Sequence, residues 1–158
     1  MIRAGRRKFV QTRDELAAVA GVEPSMFAKT KPYTAEDFPA SISSKDARVL
    51  LWDNEQTAAY YAGKPIPALP EQDHDQDLLD RNEAAELLEV SRKTWEDCKR
   101  HEQIAPHLVK TKEVEHCPRG VINAFKAARE AGPGRCGEGQ AAGGGDRVAR
   151  DQIGGAEV

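Results

Sequence analysis

Two stretches of this chain repeat one pattern of apolar and polar positions. Leu16, Val19 and Ala20 recur at helical spacing behind Thr12, and Ala84, Leu87 and Leu88 do so behind Asp80. Thr12 and Asp80 suit an N-cap, and Glu15 and Glu83 stand three positions on, where each closes a capping box. A shift of about 68 positions lays residues 80–90 on residues 12–22, with few identities but matching roles. Each copy then turns and starts a second helix. Gly21-Val22-Glu23-Pro24 offers a turn glycine and an N-terminal proline, and Glu89-Val90-Ser91 offers a capping serine. Phe27 and Trp95 fall at matching places in these second helices, as inward-facing aromatics.

Beyond the helices, Pro32, Pro39 and Pro106 mark irregular connections, and extended stretches follow. These are Ile42 and then Ala47 to Trp52 in the first copy, and Leu108-Val109 and then Val114 to Cys117 in the second. Polar turns, Ser43-Ser44-Lys45-Asp46 and Lys110-Thr111-Lys112-Glu113, lie between them, so each pair reads as a wing hairpin. A third helix closes each copy, from Asp53 and from Pro118, with Tyr60 and Phe125 as matching core residues. The expected fold is mainly α with small β wings: two tandem winged helix-turn-helix modules. Their expected bounds are a basic arm over 1–9, a first module over 10–70, an acidic linker over 71–78 and a second module over 79–131. The remainder, 132–158, is rich in glycine and poor in apolar residues, which predicts a disordered tail.

Composition narrows the function. A net charge of −3 argues against a nonspecific nucleic-acid coat, yet much of the acid is concentrated in residues 71–77. No apolar run approaches a membrane span, and the basic N-terminal stretch has no apolar core behind it, so no membrane role and no secretory signal are expected. Three cysteines without framework spacing favour a reducing cytoplasm. The Gly-rich tract has neither a preceding strand nor a following Lys-Ser pair, so it is no phosphate loop.

The segment Leu79-Asp80-Arg81-Asn82-Glu83-Ala84-Ala85-Glu86-Leu87-Leu88-Glu89-Val90-Ser91-Arg92-Lys93-Thr94-Trp95 resembles the opening of excisionase-like and MerR-like winged-helix DNA-binding domains. The continuation through Ala105 to Val109 and Val114 to Val121 is similar to the actinobacterial form found in small regulators, plasmid and phage proteins. The resemblance covers roughly 50 residues closely and the first copy more loosely. It implies sequence-specific binding of double-stranded DNA, as a transcriptional regulator or as an accessory factor for excision, replication or partition of a mobile element. Where members of the wider family carry a tryptophan after the wing, the first copy has Trp52 and the second has Cys117. No effector or coiled-coil segment of the MerR-regulator kind follows, so no small-molecule effector is implied.

On the second helix of the second copy, Lys93, Asp97 and Arg100 point away from Trp95, and Arg92 lies on the flank beside Lys93. A face with Arg92, Lys93 and Arg100 suits a major groove, with Thr94 beside the cap, while Asp97 and Glu96 repel phosphate unless they pair with these cations or accept from cytosine. Lys110, Thr111 and Lys112 of its wing are candidates for phosphate or the minor groove. The first copy offers Ser25, Lys29 and Lys31, then Lys45 and Arg48 on its wing, either as a second reader or as a copy kept for packing or dimerisation. Arg6 and Arg7, with Arg3 and Lys8, form an arm suited to the minor groove or the backbone. A homodimer or a cooperative assembly on DNA is compatible with this pattern. The expectation is therefore a DNA-binding protein without enzymatic activity and without a cofactor. Two rivals stand beside it: a zinc site from Cys98, His101, His116 and Cys117, and a helix-turn-helix module used only for protein contacts.

Overall fold

A computed structural model describes residues 1–132, and the tail expectation for 133–158 lies outside the described residues. Among these residues the chain forms six α-helices and two small antiparallel sheets, a mixed α/β arrangement rather than a mainly α one. The first half runs β1 (Val10–Thr12), α1 (Arg13–Ala20), α2 (Pro24–Thr30), β2 (Leu51–Asp53) and α3 (Asn54–Tyr61). The second runs β3 (Leu78–Leu79), α4 (Arg81–Leu87), α5 (Arg92–Cys98), β4 (Val109–Thr111), β5 (Val114–Pro118) and α6 (Arg119–Ala131).

Local chemistry explains why the helices begin and end where they do. Thr12 and Asp80 each cap through the side chain while Glu15 and Glu83 reach back to the cap amide, so both capping boxes close. The turns after α1 and α4 also match. Val22 donates to Ala17 and Val90 to Ala85, each at 3.0 Å, across a left-handed residue, Gly21 in one and Glu89 in the other. Gly21 takes that conformation without a side-chain penalty, whereas Glu89 at φ 57° costs about 1 kcal/mol more. The buried stripe of α1 is Leu16 and Ala17, and Val19, expected inside, is exposed. In α4 it is Ala84 and Ala85, with Leu88 just beyond.

The strands keep the register of the repeat. Gln11 faces Trp52 in one sheet and Leu79 faces Cys117 in the other, so Trp52 and Cys117 hold equivalent places. The expected wing over Ala47 to Leu50 is not a strand. There Ser43 takes over, its hydroxyl donating to Val49 O at 3.0 Å and accepting from Leu51 N at 2.9 Å, while Ile42 N bonds Leu51 O. In the second half β4 and β5 form a regular hairpin whose turn is only Lys112-Glu113, with φ 50° and 64°. Both residues are left-handed, as the tightest hairpin turn requires, without the glycine or asparagine that usually eases it. Lys110 and Thr111 belong to the strand rather than to the turn.

Among the described residues, three apolar clusters hold the fold together. One lies inside each half: Leu16, Ala17, Phe27, Phe38 and Trp52 in the first, and Leu79, Trp95, Ile104, Ile122 and Phe125 prominent in the second. The third joins the halves, from Ile2, Val10 and Leu51 with Ile42, Leu78 and Val114 packed on it. Tyr60, matched to the buried Phe125, is only half-buried and packs edge-on to Phe38 at 4.7 Å.

The arm and the linker are parts of this joint, which corrects both expectations. Ile2 is buried and pairs with Leu78, and Ala4 N donates to Asp77, itself fully buried, at 2.9 Å. Within the acidic run, His74 N and Asp77 form a turn, and Asp75 O accepts from Gly120 N at 2.9 Å. A run of carboxylates looks solvated in sequence, but here one carboxylate collects backbone amides and stays inside.

Candidate nucleic-acid interface

Helix α5 is held by its cap and by two buried side chains. Ser91 Oγ accepts from Thr94 N at 3.0 Å and lies 2.9 Å from the Thr94 hydroxyl. Trp95 and Cys98 are buried in the second core. Thr94 is therefore half-buried in the cap, while Arg92, Lys93 and Arg100 are exposed. The acidic residues on the same helix are already engaged. Asp97 pairs with Arg100 at 4.0 Å, and Glu96 takes Arg81 at 3.2 Å and Lys99 at 2.8 Å. Lys99 also reaches Glu115 at 2.8 Å, and these two carboxylates, Glu115 first, raise its pKa against the opposing effect of burial. Lys93 makes no ion pair among the described residues.

Arg92 is bound from the other half of the chain, by Asp46 at 3.2 Å. Asp46 sits on the loop 43–49 between the exposed Lys45 and Arg48. That loop therefore lies along the N-terminus of α5. Between them opens a cleft of about 500 Å³, lined by Asp46, Arg48, Asp80, Arg92, Lys99 and His116 among others. The structure thus brings Arg48 and Arg92 from the two halves to one cleft, where Asp46, Glu96, Glu113 and Glu115 also stand. Lys45 and Lys93 are exposed next to them in sequence and are not part of its lining. Asp46, Arg81 and Lys99 were not singled out by sequence, because their partners lie on other elements and leave no periodic trace.

The remaining candidates are dispersed. Ser25 and Lys29 are exposed on α2, which carries no carboxylate of its own, and Lys31 is its left-handed C-cap. Lys110 is exposed on β4, but its carbonyl accepts from Arg7 Nη2 at 2.9 Å. Thr111 is buried, with its hydroxyl accepting from Arg7 Nε at 3.0 Å, so it offers no open surface. Lys112 pairs with Glu15, and this lysine and the Thr12 cap outweigh burial to lower the carboxyl's pKa. Arg6 is clamped by Asp53, with Nε to Oδ2 at 2.8 Å and Nη2 to Oδ1 at 2.7 Å, and by Glu55 at 2.9 Å. Arg6 and Arg7 therefore tie the N-terminal segment to both halves instead of forming a free arm.

The four residues of the zinc alternative do not converge. Cys98 and Cys117 sit in the core, and burial pushes the Cys117 thiol up to about 12. His101 lies against Phe125 at 5.0 Å and accepts from Gln103 N, while His116 Nδ1 faces Val114 O at 2.9 Å. Among the described residues no group of three or more His, Cys, Asp or Glu side chains stands as a metal cluster, and no helix is long and apolar enough to cross a membrane.

His116 gives the stability of the fold a pH dependence. Burial lowers its pKa, against the carbonyl of Val114 and the charge of Asp80, while Arg7 adds to the lowering. The folded state therefore favours the neutral ring. Below the ordinary histidine value of about 6.5 the unfolded chain takes the proton more readily, so stability falls as pH drops. Urea midpoints at pH 7.5 and 5.5 should show a smaller acid loss in His116→Gln than in the parent. Equal losses would remove His116 as the cause.

The chain matches no family model, no curated protein and no solved structure, so the functional reading rests on its own residues.

Proposed function

We propose that the chain is a sequence-specific double-stranded DNA-binding protein built from two winged helix-turn-helix units, serving as a regulator or a mobile-element accessory factor. The observation that carries this reading is the composite basic edge. Arg92, in the first turn of α5, lines one cleft with Arg48 on a loop of the other half, and the exposed Lys93 and Lys45 adjoin that helix turn and that loop in sequence. First-turn side chains of such a helix are those that reach base edges, and a flanking basic loop meets phosphate. The loop of the first unit thus takes the flanking role for α5 that the Lys112 turn, docked on Glu15, does not.

Lys93→Ala tests it. The side chain is exposed, so stability should hold, while specific binding weakens by about 1–3 kcal/mol if it reaches a base. A fluorescence-polarisation titration on selected duplexes, with a salt series, measures both affinity and the electrostatic contribution. Unchanged affinity would remove α5 as the reading helix.

The protein-contact reading has its own support. Val19 and Met26 are exposed on α1 and α2 at 58% and 50%, an apolar pair on the first half. Binding that ignores salt and duplex alike would favour it.

A further inference from the structure

The halves touch each other in matching ways. The turns 43–46 and 110–113 hold the same place in the repeat, about 67 positions apart. Ser44 N donates to Asp80, the cap of α4, at 3.0 Å, and its hydroxyl accepts from Asn82 at 3.0 Å. Lys112 in turn pairs with Glu15, which closes the cap of α1. Each half therefore sends its turn to the first-helix N-terminus of the other. Val10 and Leu78 are also equivalent in the repeat, and both lie in the cluster that joins the halves. A contact in which one segment meets a second, and the second's counterpart meets the first's, marks a two-fold, isologous interface.

We infer that the chain carries an internal pseudo-two-fold axis, and that α2 and α5 engage two DNA half-sites in inverted orientation at one fixed spacing. The inference rests on the DNA-binding reading above. The spacing is fixed because the joint is built of buried apolar residues and of ion pairs at both turns, so the largely exposed connection over 62–76 does not set it. The half-sites differ in sequence because equivalent positions carry different side chains. Ser25 stands where α5 has Lys93, and Lys29 where it has Asp97. A dimer of identical subunits presents the same residues twice, whereas a fused pair presents two sets. The expected target is an imperfect inverted repeat read by one chain.

Selection from random duplexes, followed by footprinting of the full chain, tests this. The expected result is two unequal half-sites, inverted and at constant separation. Lys29→Glu should lose protection of one half and Lys93→Glu of the other, with both variants retaining the parent's melting transition. Inserting about 5 bp between the halves turns one to the opposite side of the duplex. Affinity should then fall about a hundredfold, since the second contact no longer benefits from linkage. A single protected half-site, a direct repeat, or tolerance of the insertion overturns the pseudo-two-fold reading and leaves DNA binding standing. No salt-sensitive binding to any duplex overturns both.

Discussion

Replacing Arg6 by alanine should destabilise the protein by about 3 kcal/mol while leaving its surface charge for DNA little changed. The guanidinium makes two parallel bonds to Asp53, a carboxylate only 2% exposed. Removing one partner of such a pair leaves an uncompensated buried charge, which costs roughly 3–5 kcal/mol. The low end applies because Asp53 also accepts from the amides of Glu55 and Gln56 as the cap of α3. Urea denaturation measures the loss, and polarisation titration under fully folded conditions measures binding. A variant that keeps its stability and loses affinity would restore the arm reading of the N-terminal segment.

The second large effect is expected at Trp52. It is 1% exposed, packs against Tyr33 at 5.2 Å between centroids, and belongs to a core with Leu16 and Phe27. Trp52→Ala should cost about 3–5 kcal/mol, since the site lacks atoms able to refill a cavity of that size. Cys117, at the equivalent register, is as buried but small, and Cys117→Ala should cost only about 1 kcal/mol. The comparison is made on urea midpoints at constant slope. Similar losses at the two positions would mean that the halves do not divide their packing in this way. Phe125 and Ile122 of the longer α6 supply in the second core the bulk that Trp52 supplies in the first.

Much of the repeat was legible in the chain because its signals are local. Thr12 with Glu15, and Asp80 with Glu83, satisfy helix-end amides within four residues, so the composition of that short stretch is enough to announce them. The turns at Gly21 and Glu89 and the inward Phe27 and Trp95 follow from the same spacing. The stretch between Ala47 and Leu50 departs from the expected strand for a related reason. Its apolar run has strand composition, but the side chain of Ser43 completes the hydrogen bonding, and only Leu51–Asp53 pairs with β1. Val19 was misplaced because a short helix tolerates a one-position shift of its buried stripe.

The candidate site was legible only as a set of cations. Whether each cation is open or occupied depends on which carboxylate the fold brings to it. Arg92 meets Asp46, Lys112 meets Glu15 and Arg6 meets Asp53, pairs separated by 46, 97 and 47 positions. Such pairs have no period along the chain, so no spacing rule reports them. The same holds for Thr111, a polar residue covered by Arg7 from the far end of the sequence. The two capped helix pairs and their common register can be read from the residues alone, because they rest on hydrogen bonds between near neighbours. That the N-terminal segment and Asp77 of the acidic run belong to a joint, and that Arg48 and Arg92 of different halves share one cleft, follows from packing alone. Charge pairing and burial between distant segments arise when the halves pack.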